Sequence, residues 1–321
     1  MSPHRDVAAT RGERLTGLTQ VALAGVMWGT IPLVLRAADA APVVKVFYRV
    51  ALAAIVVGAW MLVTGTWREL ARLGAVKLRR AAGQGLLLMV HWFLFLTALD
   101  WTTVATAELL AYTGPVFVAL LMPLMTGDRF DRRILVPLAL ALGGIAVILG
   151  QHGFALGSGK QLAGALFAAA AALTYAALLL RSKRILRDIS SSALMLIEYT
   201  VASVVLAPFV VWAYATGQGP ASAGSYTALV TLGVVHTALV GFLFLGGLRR
   251  IRADHAAILM YAEPVSAVLF AALLLDEPLT LATVVGAAAV VCGGVLVARM
   301  EPTPGLEAPG AVMDEEGGTP E

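Results

Sequence analysis

The sequence predicts an all-α membrane protein with ten transmembrane helices arranged as two inverted five-helix repeats. Three observations carry that expectation. The 321-residue chain is 59% hydrophobic and only 13% charged, with a mean hydropathy of +0.84, whereas soluble domains are about half apolar and about a quarter charged. Ten of its apolar runs are long enough to cross a bilayer core of about 30 Å, which takes about 20 helical residues. Finally, the second half of the chain repeats the first.

The runs are 16–36, 43–64, 83–99, 103–126 and 132–150, then 162–180, 191–215, 225–248, 254–275 and 280–299. They are too long for membrane strands and lack the alternation of a β-barrel. Segment one follows Arg5, Arg11 and Arg14. Its apolar run exceeds the ~7–15 residues of a cleaved signal, so it is read as retained. Segment two is followed by Arg68, Arg72, Lys77, Arg79 and Arg80, and segment four by Arg129, Arg132 and Arg133. Segment six ends on Arg181, Lys183, Arg184 and Arg187, segment eight on Arg249, Arg250 and Arg252, and segment ten on Arg299. Lys160 is the one basic residue in the opposite loops. Because Lys and Arg accumulate on the cytoplasmic side, both termini are expected in the cytoplasm and the chain in the cell membrane. The domain plan is then a cytoplasmic segment 1–15, repeats at 16–150 and 162–299, and a tail 300–321, rich in Pro, Gly and Glu, expected to be disordered.

The repeat is read by a shift of 149 positions, the separation of Pro115 from Pro264. It lays Tyr112 on Tyr261, Val116 on Val265, Leu120 on Leu269, Asp128 on Glu277 and Gly144 on Gly293, and Phe93-Leu94-Phe95-Leu96 on Phe242-Leu243-Phe244-Leu245. Nearer the start a shift of 147 lays Gly17 on Gly164, Trp28 on Tyr175 and Arg36 on Lys183. Five crossings is an odd number, so the second copy must enter the membrane upside down. The loops agree: Asp100-Trp101 carries no positive charge while its counterpart Arg249-Arg250 does. Inverted repeats place a binding site near the midplane, between halves that rock to expose it to either side.

Segment nine and its continuation, Y-A-E-P-V-S-A-V-L-F-A-A-L-L-L-D-E-P-L-T from Tyr261, together with the Gly-containing last helix Val284 to Val297, Trp28-Gly29 and Arg49, resemble the drug/metabolite transporter (DMT) superfamily. Within it the chain is similar to EamA-type ten-helix transporters, over about residues 16 to 299. The first copy departs from the pattern: Gly114 stands where the second has Glu263, and Gly127-Asp128-Arg129-Phe130 replaces the usual Gly-Glu-x-Leu. The resemblance implies a bundle with segments 1, 3, 4, 6, 8 and 9 around a central cavity and segments 5 and 10 outside.

Charged groups inside a bilayer are costly, so they usually face a partner or a wet cavity. Arg49, Glu108, Glu198 and Glu263 are the four to explain. At about 1.5 Å per residue, Arg49 and Glu108 come out roughly 9 and 8 Å from the same face, which allows an Arg49–Glu108 pair, whereas Glu198, the counterpart of Arg49, comes out roughly 10 Å from the other face. Tyr175 and Tyr261 fall near the depth of Glu198, and Trp28 near that of Arg49. Two polar layers related by a pseudo-two-fold are expected, with Glu263, Tyr112, His91 and His236 nearer the middle. Pro115 and Pro264 each remove a mid-helix hydrogen bond, and such breaks line or hinge a pathway where cavity water satisfies the freed groups. The plain alternatives are that Arg49 and Glu198 fasten helices, that the prolines are static kinks, and that both histidines and the aromatics, Trp92 among them, are packing. Gly25-x-x-x-Gly29 permits close helix approach.

These residues form the expected solute pathway of a secondary transporter working by alternating access on an amino acid, metabolite or drug-like compound. The alternatives are an intramembrane enzyme or a channel-like facilitator. No Gly-x-Ser-x-Gly or His-Glu-x-x-His turn supports an enzyme, and the scattered single charges do not suggest the charged rings of a channel. Gly153 to Lys160 looks superficially like a phosphate loop, but Phe154 and Gln161 occupy required positions, so neither ATP nor another cofactor is expected. No metal spacing surrounds the histidines. The basic clusters lack the aromatic interleaving of a nucleic-acid surface, leaving a small solute and the lipid bilayer as partners, with a monomer or homodimer both compatible. Cys292 stands alone, so an intrachain disulfide is ruled out.

Overall fold

A computed structural model describes residues 11–126, 130–151, 153–154, 157–275 and 278–300. The matched pair Asp128 and Glu277, with Arg5, Gly127, Arg129, Asp276 and the tail beyond Met300, lies outside the described residues. Ten helical spans cross the molecule: α1 (Arg11–Ala37), α2 (Pro42–Val63), α3 (Ala75–Trp101), α4 (Ala105–Met125), α5 (Arg132–Gly150), α6 (Gly159–Ile185), α7 (Ser191–Ala215), α8 (Ala223–Arg250), α9 (Ala253–Leu275) and α10 (Leu281–Arg299). There is no strand among the described residues. Large apolar side chains such as Val63, 87% exposed, and Leu281, 79% exposed, cover the outside, as a lipid-facing surface requires.

Local chemistry sets the ends. Ser158 and Gln161 form a reciprocal capping box at the start of α6. Ser190, Ser222 and Thr280 accept from the third backbone N–H of α7, α8 and α10, satisfying donors that a helix leaves open. Spans α3 and α6 extend well past the segments read from hydropathy. Lys77, Arg79 and Arg80 are helical in α3, as are Arg181 to Ile185 in α6. The helix backbone bonds to itself whatever surrounds it, and basic side chains reach to water from buried stems, so hydropathy marks the lipid layer and not the helix.

Three spans are interrupted and one is distorted. α1 breaks at Gly29–Thr30, two residues before Pro32; α4 breaks at Tyr112–Thr113; and α9 breaks at Met260–Tyr261. The prolines do more than bend α4 and α9. With no N–H to offer at 115 and 264, the Glu263 N–H turns back to the Met260 carbonyl at 3.0 Å, and in α4 the Thr113 hydroxyl takes the Leu110 carbonyl at 2.6 Å. α8 carries a π-helical stretch, Leu232–Leu239, in which the Thr237 hydroxyl donates to the Leu232 carbonyl five residues back at 2.8 Å.

The spans pack in pairs that exchange when each helix is replaced by its equivalent five places on. α3 lies against α6, from Gln84 beside Ser182 to Trp101 beside Gly164. α1 lies likewise against α8, from Gly17 beside Gly247 to Trp28 beside His236. Equivalent helices that touch run antiparallel. In α2 and α7, Tyr48 meets Tyr214 while Gly58 meets Leu196. In α5 and α10, a Cβ on Gly286 would lie 2.5 Å from the Gly144 carbonyl, and one on Gly293 would lie 2.7 Å from the Pro137 carbonyl. Gly293 and Pro137 are the positions one repeat away from Gly144 and Gly286. α5 and α10 form an outlying pair that reaches the other spans mainly through α4 and α9.

Candidate functional site

The interruptions of α4 and α9 meet at the centre. Losing regular helix at Tyr112 frees its carbonyl, since the Val116 N–H bonds Thr113 instead. The phenol of Tyr261, one repeat later, donates to that freed carbonyl at 2.5 Å, and the two rings lie 6.0 Å apart. Glu263, two residues along, is within Coulombic reach of Arg49 and of Glu108. Tyr112 and Tyr175 sit in the same field. The sequence thus brings Glu108, Tyr112, Tyr175, Tyr261 and Glu263 to one place, with Arg49 facing them from α2 and Pro115 and Pro264 buried just beyond the breaks.

Arg49 takes partners other than the one the depths allowed. Its Nε donates to the Thr237 hydroxyl at 3.3 Å, and its guanidinium lies 5.4 Å from the Trp92 ring centroid. Among the described residues no carboxylate approaches Arg49 within 4 Å, so the Arg49–Glu108 pair is not formed: equal depth does not supply equal azimuth. The carboxyl groups of Glu108, Glu198 and Glu263 make no hydrogen bond among the described residues, yet each residue keeps part of its surface accessible. A carboxyl within the bilayer whose side chain holds no partner is costly unless water reaches it.

The structure departs from the two expected layers at His236 and at Tyr175. His236 does not lie in a separate middle layer: its carbonyl accepts from Trp28 Nε1 at 2.7 Å and its Nε2 meets the Thr30 hydroxyl at 2.7 Å, at the level of Arg49 and Thr237. His91 Nδ1 meets the Ala171 carbonyl at 3.0 Å and the Thr174 hydroxyl at 3.1 Å. Both histidines therefore fasten helices. Tyr175 joins Glu263 and not Glu198, because its ring packs on Gly114, where an added Cβ would lie 2.6 Å from Tyr175 Cδ1. That contact also gives the physical reason the first repeat has glycine where the second has Glu263. Glu198 stands apart from the ring; its backbone closes on Gly85 of α3, where an added Cβ would come 2.6 Å from the Glu198 carbonyl.

Sequence reasoning missed Thr237, Tyr199 and Gln84. Tyr199 is buried with its hydroxyl directed at the Thr237 carbonyl, and Gln84 is 1% exposed, bonded to Ser182 and Arg181. Only Gln84, a polar residue within an apolar run, left a trace to follow. The Gly25 and Gly29 pair does serve close approach, along α1 and α9: a Cβ on Gly29 would sit 2.7 Å from the Ala267 nitrogen.

The ring is closed toward the face that carries the basic loops. The half of α9 on that side, Ala253–Leu259, is buried at every residue and packs on the matching half of α4, Gly114–Thr126. Arg252 pairs with Asp254 at 2.9 Å and reaches Met122 Sδ at 3.7 Å. Lys183 Nζ caps the carbonyls of Leu248, Arg249 and Ile251 at 2.8 to 3.0 Å, and Arg14 reaches the last carbonyls of α10, including that of Met300. The opposite half of α9, Ala262–Leu275, is buried only at Pro264, Val265 and Ser266.

The sequence profile of the EamA-like transporter family matches residues 15–150 and 162–299. An uncharacterized transporter of Archaeoglobus fulgidus is 30% identical over 207 residues, which is 64% of this chain and 71% of that protein. The uncharacterized transporter YxxF of Bacillus subtilis is 21% identical over 264 residues, covering 82% of this chain and 83% of its own. A solved crystal structure superposes with a TM-score of 0.75 at 21% identity, over 87% of this chain and 95% of that one, and so shares the fold.

Proposed function

The chain belongs to the EamA-like transporter family and is a multi-pass membrane transporter; from that premise we propose that it is a secondary carrier moving a small organic solute across the cell membrane by alternating access. The observation that carries this reading is the central ring. Two carboxyls whose side chains hold no partner, Glu108 and Glu263, lie with Arg49 where α4 and α9 lose their helical hydrogen bonds, with the halves packed shut on one side only. The two halves act as inverted repeats, a reading supported by the antiparallel packing of α2 on α7 and of α5 on α10. The basic face is the cytoplasmic one, following the positive-inside rule, and the conformation described is then closed to the cytoplasm.

In the ring, Glu263 and Glu108 offer acceptors to the solute, or exchange protons with it, while Trp28, Trp92, Tyr112 and Tyr175 offer aromatic faces. Opening to the cytoplasm separates Tyr261 from the Tyr112 carbonyl and swings the two halves of α4 and α9 about their breaks. Uptake into vesicles, measured with and without an imposed pH gradient across amino acids, amines and sugars, tests the reading. One class should be transported above the protein-free rate, and Glu263→Gln should lower that flux at least tenfold or uncouple it from the gradient. Flux in Glu263→Gln equal to the parent in rate and pH dependence would remove Glu263 from the pathway.

A further inference from the structure

Away from the central ring, a cavity of about 550 Å³ opens on the basic face, lined by Glu13 of α1, Ser191 and Ser192 of α7, and Phe242, Gly246, Arg249 and Arg250 of α8. Its volume is in the range of pockets that hold organic ligands. Phe242, Gly246 and Arg249 are spaced four and three residues apart, so one stripe of α8 forms the wall, apolar toward the bilayer and basic toward the water. The apolar end continues onto α2, where Trp60 meets the Phe242 ring at 6.4 Å and is 55% exposed. Trp60 is three residues from the end of α2, the level at which tryptophan marks the edge of the hydrocarbon. The cavity is therefore a cleft at headgroup depth that opens sideways onto lipid.

Its charge has one sign in excess, two guanidinium groups against the single carboxyl of Glu13. Arg250 is held in place, its Nη1 donating to the Gly246 carbonyl at 2.6 Å and to Gln20 Oε1 at 3.2 Å, which leaves its remaining donors for a ligand. Arg249 is exposed beside it. The two serines stand in the first turn of α7, and a helix start adds to the pull on an anion. Basic clefts between transmembrane helices on the cytoplasmic side select acidic lipid headgroups.

We propose that this cleft binds an anionic diacyl phospholipid of the surrounding leaflet, its phosphodiester held by Arg249, Arg250 and the Ser191 and Ser192 hydroxyls and its chains lying along Phe242 and Trp60. The lipid wedges between α1, α7 and α8 and ties the basic ends of helices from both halves. A free phosphate shares the headgroup chemistry but leaves the aromatic end of the cleft unfilled.

Native mass spectrometry of the full chain in neutral detergent, supplied with equal phosphatidylglycerol and phosphatidylcholine, tests this without reference to transport. The parent should retain phosphatidylglycerol at least fivefold over phosphatidylcholine, and Arg249→Gln with Arg250→Gln should bring the ratio close to one. Should that pair of changes prevent folding, Ser191→Ala with Ser192→Ala keeps the charge and should still lower the ratio at least twofold. Equal retention of the two lipids by the parent, an unchanged ratio in the folded variants, or complete displacement of phosphatidylglycerol by millimolar inorganic phosphate would each overturn the proposal.

Discussion

Placing an alanine at Gly114 tests the contact that makes the two repeats unequal. Its Cβ would stand 2.6 Å from Tyr175 Cδ1, 3.3 Å from Cε1 and 3.4 Å from the Ala172 carbonyl. Ordinary contact begins near 3.4 Å, so the Tyr175 ring must retreat by about 0.8 Å. The His91 ring is a neighbour of this ring, with centroids 6.3 Å apart, and His91 is itself bonded to α6. Overpacking of this kind costs about 1–3 kcal/mol. Gly114→Ala should lose that much in reversible unfolding of the detergent-solubilised protein, and Tyr175→Ala should lose by its cavity. The double variant should lose less than the two together by at least 1 kcal/mol, because the ring that collides is gone. Independent sites add within about 0.3–0.5 kcal/mol, so additivity inside that margin would refute the steric reading and return the Gly114 and Glu263 difference to an unexplained one.

Arg49→Lys should fail to restore what Arg49→Met loses, both cutting solute flux at least tenfold in vesicles, because a lysine cannot both sit over Trp92 and donate sideways to Thr237 as the guanidinium does. Full flux in Arg49→Lys would mean that only the charge matters there. At the start of α5, Asp131 accepts from Arg133 through both carboxylate oxygens, at 2.7 to 3.1 Å, and that pairing holds its pKa below the usual aspartate value. A depressed folded-state pKa gives stability that is complete above the unfolded value of about 3.9 and is lost as pH falls through the folded one. The stability gap between the parent and Asp131→Asn should thus be level from pH 7 down to about 4 and close below it, as read by unfolding at a series of pH values; a gap that widens in acid would exclude the pair as its source.

Much of the architecture was legible because lipid leaves so few choices. Segments two, five, seven and ten were placed almost to the residue, since a run of Val, Leu and Ala that must satisfy its own backbone can only be a helix. The pairing of Tyr112 with Tyr261 was visible as a repeat before it was a hydrogen bond. The Arg49 partner stayed open in the sequence because depth along a helix follows from counting, while the direction a side chain faces depends on how its helix is turned against its neighbours. The break at Gly29–Thr30 and the π-helical stretch around His236 gave little warning, the first only through Pro32.

Sequence alone determined the ten crossings, the internal duplication and the side bearing the positive loops, all of which depend on hydrophobic length and charge counted along one chain. Tertiary structure decided which helices touch, that Arg49 lies on Trp92, that Tyr175 leaves room only for glycine at 114, and that the ring is shut toward the basic face. Those outcomes turn on packing between residues some 40 to 190 positions apart, for example Trp92 against Arg49, Tyr175 against Gly114 and Thr237 against Arg49. Close contact at ångström range is a property of two surfaces together, and neither segment carries it in its own residues.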